Sequence, residues 1–237
     1  MTNRVWVGVS GFSYASWRGK FYPETTKSEE FLPFYSKNLR TVEINSSFYA
    51  PPRAEVVKGW GEKVSKEFRF SFKAPKLVTH TLKLGKGSAE ASERFSATLE
   101  ELGEKRGPAL FQLPPFLKQD QKLLEGFLTE TSKIKGRVFE FRHESWLQDS
   151  TYELLEKHGA GFCVAETEDL APVLKATGGL AYFRLRLDSY DAKAVDAWAG
   201  KIGKLVRGLP EAFVYLRHDE TGENAVLAKR LAEKLSV

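Results

Sequence analysis

Eight short runs of this chain read as strands, several of them alternating apolar with polar residues, and each is followed by a stretch that reads as a helix. The runs lie at 5–9, 41–45, 68–73, 107–113, 137–143, 161–165, 180–187 and 212–217. Alternation at period two marks a strand, and strands that take turns with helices pair in parallel. Helices are predicted at 28–38, 53–64, 88–105, 150–158, 192–206 and 223–235, with another capped by Asp120 and a weaker helical segment at 168–176. Val56, Val57 and Trp60 read as one buried helix face, and Ser88 as an N-cap. Eight such units predict an α/β fold: one small (β/α)8 TIM barrel of eight parallel strands, with residues 1–237 forming a single domain. An open doubly wound sheet is the alternative.

In a barrel, one face of each strand packs on the helices and the other fills the bore. The apolar sets assign themselves to the outside: Val42 and Ile44, Phe70 and Phe72, Phe139 and Phe141, Phe183 and Leu185, Val214 and Leu216. Left for the inside are Glu43 and Asn45, Arg69 and Lys73, Leu110 and Gln112, Glu140 and Arg142, Arg184 and Arg186, Tyr215 and Arg217. A barrel bore is ordinarily filled by Val, Ile and Leu, so this one is unusual in being polar and mixed in charge. Buried charges must pair, reach water or hold a ligand. Asn45, Lys73, Gln112, Arg142, Arg186 and Arg217 fall near strand ends, where catalytic groups of this architecture sit.

Composition narrows the setting. Cys163 is the one cysteine, so no intrachain disulfide can form and a cytoplasmic chain is expected, with this thiol buried and structural. The opening Met1-Thr-Asn-Arg-Val-Trp6 lacks a long apolar run, so no leader is expected, and no stretch is long enough for a membrane span. The net charge of +5 allows an anionic partner.

Several motifs together resemble the YecE-like family, also called domain of unknown function 72. They are Gly8-Val-Ser-Gly-Phe-Ser-Tyr14 with Trp17-Arg-Gly-Lys-Phe-Tyr-Pro23, Thr41-Val-Glu-Ile-Asn-Ser-Ser-Phe-Tyr49, Phe72-Lys-Ala74 with Thr79-His80, Gly107-Pro-Ala-Leu-Phe-Gln-Leu-Pro-Pro115, and Glu140-Phe-Arg-His-Glu-Ser-Trp146. They run in order along the chain. The resemblance implies a β/α barrel and no particular reaction. The chain departs from the family pattern at Arg186-Leu187, where the family shows His-Gly, and at His218-Asp219, where it shows Asn-Asp. Asn224 matches the pattern.

Candidate chemistry follows from residue type. Glu43 and Glu140 are a carboxylate pair able to divide into acid and base, with Lys73 and His80 as further proton carriers. Their bland reading is a set of internal ion bridges. Arg142, Arg184, Arg186 and Arg217 offer paired donors for phosphate or another anion, and Asn45, Gln112, His143 and Asn224 offer hydrogen bonds. Tyr14, Trp17, Tyr49 and Trp146 follow strand ends, either to stack on a ligand ring or to plug the barrel top. Histidine number and spacing argue against a tightly held zinc, and the sequence points to no definite cofactor, although Asp188, Asp219 and His218 are a weak option for magnesium or manganese. The expected partner is a small anionic ligand or a nucleic-acid fragment, with no membrane. The favoured function is an enzyme using acid/base chemistry on a phosphorylated or nucleic-acid-derived substrate. A non-catalytic binder of a nucleotide, nucleic acid or anionic metabolite, and a glycosidase-like hydrolase, are the alternatives.

Overall fold

A computed structural model of the chain describes residues 4–235. Met1, Thr2 and Asn3, on which the reading of a leaderless start partly rests, lie outside the described residues. Eight parallel strands close into a barrel in chain order. They are β1 (Arg4–Ser10), β2 (Thr41–Ile44), β3 (Arg69–Lys73), β4 (Arg106–Gln112), β5 (Arg137–Glu140), β6 (Gly161–Glu166), β7 (Leu180–Leu185) and β8 (Glu211–Leu216). Closure is direct, because β8 pairs with β1 in register from Arg4 opposite Glu211 to Val9 opposite Leu216. An open sheet would leave two free edges, so the doubly wound alternative is excluded.

Seven α-helices surround the barrel among the described residues: α1 (Phe31–Asn38), α2 (Ala54–Glu62), α3 (Ser88–Leu99), α4 (Gln121–Glu130), α5 (Asp149–Lys157), α6 (Ala192–Leu205) and α7 (Glu223–Leu235). Asp120 caps α4 as predicted, accepting from the Leu123 N–H. The helix expected at 168–176 does not form; the chain there is irregular. Pro172 has no N–H to give a helix, and the Thr167 hydroxyl takes the Leu170 N–H into a local turn instead. Ser88 is the first helical residue rather than the cap, a place taken by Gly87 at φ +87°. The helix expected to reach residue 105 gives way to a 3₁₀ segment, Glu100–Lys105, kinked at Gly103. Val56 is exposed while Val57 is buried, since consecutive helical positions lie about 100° apart and cannot share a face. Among the described residues no helix is long and apolar enough to cross a membrane.

Strand parity then sorts the core into two parts. Outside the sheet, Phe70, Phe72, Phe111, Phe139 and Phe183 pack against helix residues such as Phe95, Phe127 and Trp198. Inside, the bore changes character from its N-terminal to its C-terminal end. Trp6 stacks on Phe213 at 4.8 Å, with the Arg69 guanidinium 5.3 Å over Trp6, and Leu110, Val138 and Cys163 complete this apolar plug. A hydroxyl layer follows, where Tyr215 donates to Ser71 at 2.7 Å and lies within hydrogen-bond distance of the Thr41 hydroxyl, 2.6 Å away. Above it lie the charged residues.

One close approach locks β1 to β2. Tyr35 of α1 sets its hydroxyl between the strands, accepting from the Val9 N–H and donating to the Thr41 carbonyl. A Cβ on Gly8 would lie 2.0 Å from that carbonyl oxygen and 2.9 Å from the hydroxyl. Gly8→Ala is therefore expected to cost about 1–3 kcal/mol or more, read by chemical denaturation. A loss below about 0.5 kcal/mol, the range of neutral surface changes, would show that the two strands separate freely there.

Candidate functional site

β2, β5 and β7 each carry one charge into the top of the bore. Glu43 and Glu140 are both fully buried, and Arg184 lies between them at 3% exposure. Arg184 donates from Nε and Nη2 to Glu43, at 3.0 and 2.9 Å to its two oxygens, and from Nη1 to Glu140 Oε2 at 2.5 Å. Each carboxylate has further donors. Glu43 accepts from Ser10 Oγ and Tyr182 OH, both at 2.8 Å, and from Arg186 Nη2 at 2.5 Å. Glu140 accepts from Gln112 Nε2 at 2.9 Å and from Arg142 Nε.

Charge states follow. Burial is the largest influence on either carboxyl and favours protonation, yet the surrounding cations outweigh it. Arg184, Arg186 and the Ser10 bond hold Glu43 far below the ordinary carboxylate range. Arg184, Arg142 and Gln112 hold Glu140 at about 2. Both are anions at neutral pH, fully hydrogen-bonded and closed to solvent. The geometry thus favours the internal-ion-bridge reading of Glu43 and Glu140 over proton transfer. Arg184 is corrected in the same way: all three of its nitrogens are committed, so it is a strut under the mouth rather than a spare anion ligand.

Above this floor opens a cavity of about 360 Å³. Lys73 and Gln112 are the last residues of β3 and β4, and Asn45, Arg142, Arg186 and Arg217 come just after β2, β5, β7 and β8; all six line it. His218 joins them, along with Thr167, Glu168 and Asp169 from the irregular segment after β6. Two buried polar atoms here lack partners among the described residues: Asn45 Oδ1 and Arg186 Nε, the latter on a side chain only 9% exposed. Burial, and then the like charge of Arg184, lower the Arg186 guanidinium from its ordinary value. Lys73 has neither an ion pair nor a side-chain hydrogen bond among the described residues; its Nζ rests 4.1 Å over the Phe48 ring. Burial, then Arg184, bring it down to about 8 against the opposing pull of Glu140 and Glu43.

The other predicted residues divide. His80 meets the same Phe48 ring, edge to face at 4.9 Å, from a single π-helical turn over Leu77–Thr81. Burial and the nearby Lys73 and Lys76 lower its pKa, so its imidazole is neutral at pH 7. Tyr14 stacks on His218 at 5.0 Å and supports it. Tyr49 is 82% exposed on the rim. Trp17 and Trp146 are fully buried, each donating its indole N–H to a backbone carbonyl, of Asp219 and Leu117 respectively, so they plug the barrel top and do not stack on a ligand. His143 caps the turn at 144–146 by accepting from the Ser145 N–H, and Asn224 ties α7 to the Arg217 carbonyl; both are structural. The residues considered for magnesium, Asp188, Asp219 and His218, do not form a ligand cluster. Asp188 pairs with Arg217, Asp219 accepts the N–H groups of Thr221, Glu223 and Asn224, and among the described residues no three of His, Cys, Asp and Glu converge as metal ligands. Ser10 and Tyr182 were not predicted. Tyr182 shares the parity of Arg184, the one signal that pointed to it.

The Arg184 strut can be tested by pH. A carboxyl held below its ordinary value of 4.5 contributes stability that is complete above that pH and lost as pH falls towards 2. Removing Arg184 leaves Glu43 and Glu140 buried and under-compensated, which reverses this dependence. Arg184→Met is expected to lose about 3–5 kcal/mol at pH 7, with a smaller deficit at pH 4.5. Denaturation curves at the two pH values decide it; a deficit that does not shrink on acidification would contradict this account.

Comparison with known proteins matches this geometry to a family. Residues 6–237 match the sequence model of a family described as "Protein of unknown function DUF72". The chain is 23% identical over 272 residues to the UPF0759 protein YunF of Bacillus subtilis, covering 98% of this chain and 95% of that one. It is 30% identical over 110 residues to the UPF0759 protein YecE of Escherichia coli, over 46% of this chain and 38% of that one. A DUF72 family protein from Thermotoga maritima superposes with a TM-score of 0.83 at 29% identity, covering 98% of this chain and 99% of that one. One from Enterococcus faecalis gives 0.79 at 17% identity, covering 99% and 96%, a likeness of fold. With a family match over nearly its whole length and the same closed eight-stranded barrel, this chain belongs to the DUF72 family.

Proposed function

We propose that the protein is an enzyme acting on a small anionic substrate at the C-terminal mouth of the barrel. Arg186, Arg217 and Arg142 hold the anionic group, and Lys73 and His80 are the catalytic groups. The observation behind this reading is the unpartnered Arg186 Nε on a side chain buried beside the cavity. A buried donor without a partner is costly, and an oxyanion would satisfy it with a charge-assisted bond.

Charge counting supports it. Five bases line the mouth: Lys73, Arg142, Arg184, Arg186 and Arg217. Glu43 and Glu140 neutralise two and Asp188 a third. Glu168 and Asp169 also line the cavity, but they are exposed on the rim loop, where water and salt screen them. The surplus positive charge is therefore deep and the negative charge shallow, a field that draws an anion inward.

A glycosidase-like reaction has little left to work with. That chemistry needs two carboxyls flanking the scissile bond, one of them protonated. Here Arg184 occupies the space between them and both are ionised.

Inorganic phosphate is the first probe. At ten times its Kd it is expected to stabilise the protein by about 1.4 kcal/mol, or roughly 3–5 °C in Tm, relative to chloride at equal ionic strength. Arg217→Met should reduce this shift while leaving the fold intact, since that side chain is half exposed and pairs only with the exposed Asp188. Equal shifts in phosphate and chloride would reject the anion site.

A further inference from the structure

Lys73 is placed differently from every other base at the mouth. Arg142, Arg184, Arg186 and Arg217 each bond a carboxylate. The Lys73 amine bonds none, although Glu43 of β2 and Glu140 of β5 are its electrostatic neighbours. Both of those carboxylates are already filled by other donors. The amine ends over an aromatic ring, at the end of a strand, facing a cavity large enough for a molecule of several heavy atoms.

We propose that Lys73 is a carbonyl-capturing amine, condensing with the aldehyde or ketone carbon of a small substrate whose anionic group lies on Arg186 and Arg217. The proposal rests on the anion reading above and names the substrate class: carboxylated or phosphorylated carbonyl compounds. The neutral amine attacks the carbonyl carbon, and the C=O π pair moves onto oxygen. Nitrogen then loses a proton and oxygen gains one, giving the carbinolamine. A second proton on that oxygen lets it leave as water while the nitrogen lone pair forms C=N as the iminium, whose N–H proton then returns to the base that supplied it. Amine plus carbonyl thus yields imine plus water, with no change of oxidation state. Burial keeps part of the amine neutral near pH 8, where an ordinary lysine is almost wholly protonated. The groups facing it are Glu43, Glu140, Arg184, Arg186 and the neutral His80. His80 packs edge to face on the same Phe48 ring, is an electrostatic neighbour of Lys73, and is assigned to carry the protons.

The test is reductive trapping on the full chain. Pyruvate, or neutral acetone as control, is added with cyanoborohydride, and peptide mass spectrometry locates the adduct. Pyruvate is expected to label Lys73 about tenfold or more faster than the surface lysines, with the rate rising as pH passes through about 8. Acetone should show a much smaller preference. Added phosphate should protect Lys73 from pyruvate, and Arg186→Met with Arg217→Met should remove the preference for pyruvate over acetone. Labelling of Lys73 no faster than of surface lysines overturns the proposal; if phosphate still stabilises the protein, the anion site stands without it. Labelling that the double arginine variant leaves unchanged also overturns the proposal as stated, and the anion reading fails with it.

Discussion

The structure depends on one guanidinium. Arg184 bonds Glu43 and Glu140 across the bore and is nearly closed to solvent. A buried ion pair adds little net stability, because desolvation offsets most of the attraction. Its consequence is asymmetric: no member can be lost without stranding the others. Three strands that share no hydrogen bonds with one another, β2, β5 and β7, are tied together at one height. The tie also divides the bore. Below it, Trp6, Phe213, Leu110 and Cys163 exclude water. Above it the barrel is open and basic.

That division explains how a charged interior coexists with a stable barrel. The apolar work is done outside the sheet, by the phenylalanines packed under the helices, and at the N-terminal end of the bore. Polar residues are confined to the top layers, where hydroxyls of Tyr215, Thr41 and Ser71 step the environment from apolar to ionic. Loop geometry then finishes the mouth. The segment after β6 lacks a helix, and its irregular path carries Thr167, Glu168 and Asp169 over the cavity.

Much of this was legible in the sequence because a strand has a strict period. Parity alone placed Glu43, Lys73, Gln112, Glu140 and Arg184 inside, and strand ends brought Asn45, Arg142, Arg186 and Arg217 to one rim. Parity does not say which charges will satisfy each other. Glu43 and Glu140 looked like an acid and a base, and only the position of Arg184 shows them to be its counter-ions. Nor does a strand pattern distinguish an aromatic that plugs from one that stacks: Trp17 and Trp146 turned inward because each indole N–H found a carbonyl. The helix expected at 168–176 failed where Pro172 withholds a donor, a local cost that weak periodicity could not outweigh.

Arg186 and His218 both line the cavity, and the effect of Arg186 is the larger. Their effect can be followed through the charge balance. Glu43 and Glu140 are already neutralised by Arg184 and Arg142, so without Arg186 the floor would carry no net charge. Arg186 adds a cation to a carboxylate that has its counter-ion. Only its Nη2 is engaged, with Ser10 and Glu43, and its Nε is left without a partner. It is held down by burial and by the like charge of Arg184, and it acts on Lys73 as a further like charge. One side chain thus supplies an unfilled donor and helps to keep the neighbouring amine partly neutral. Anion recognition and lysine reactivity at this mouth therefore meet at Arg186, while burial and Arg184, the larger influences on Lys73, do not depend on whether an anion is seated there.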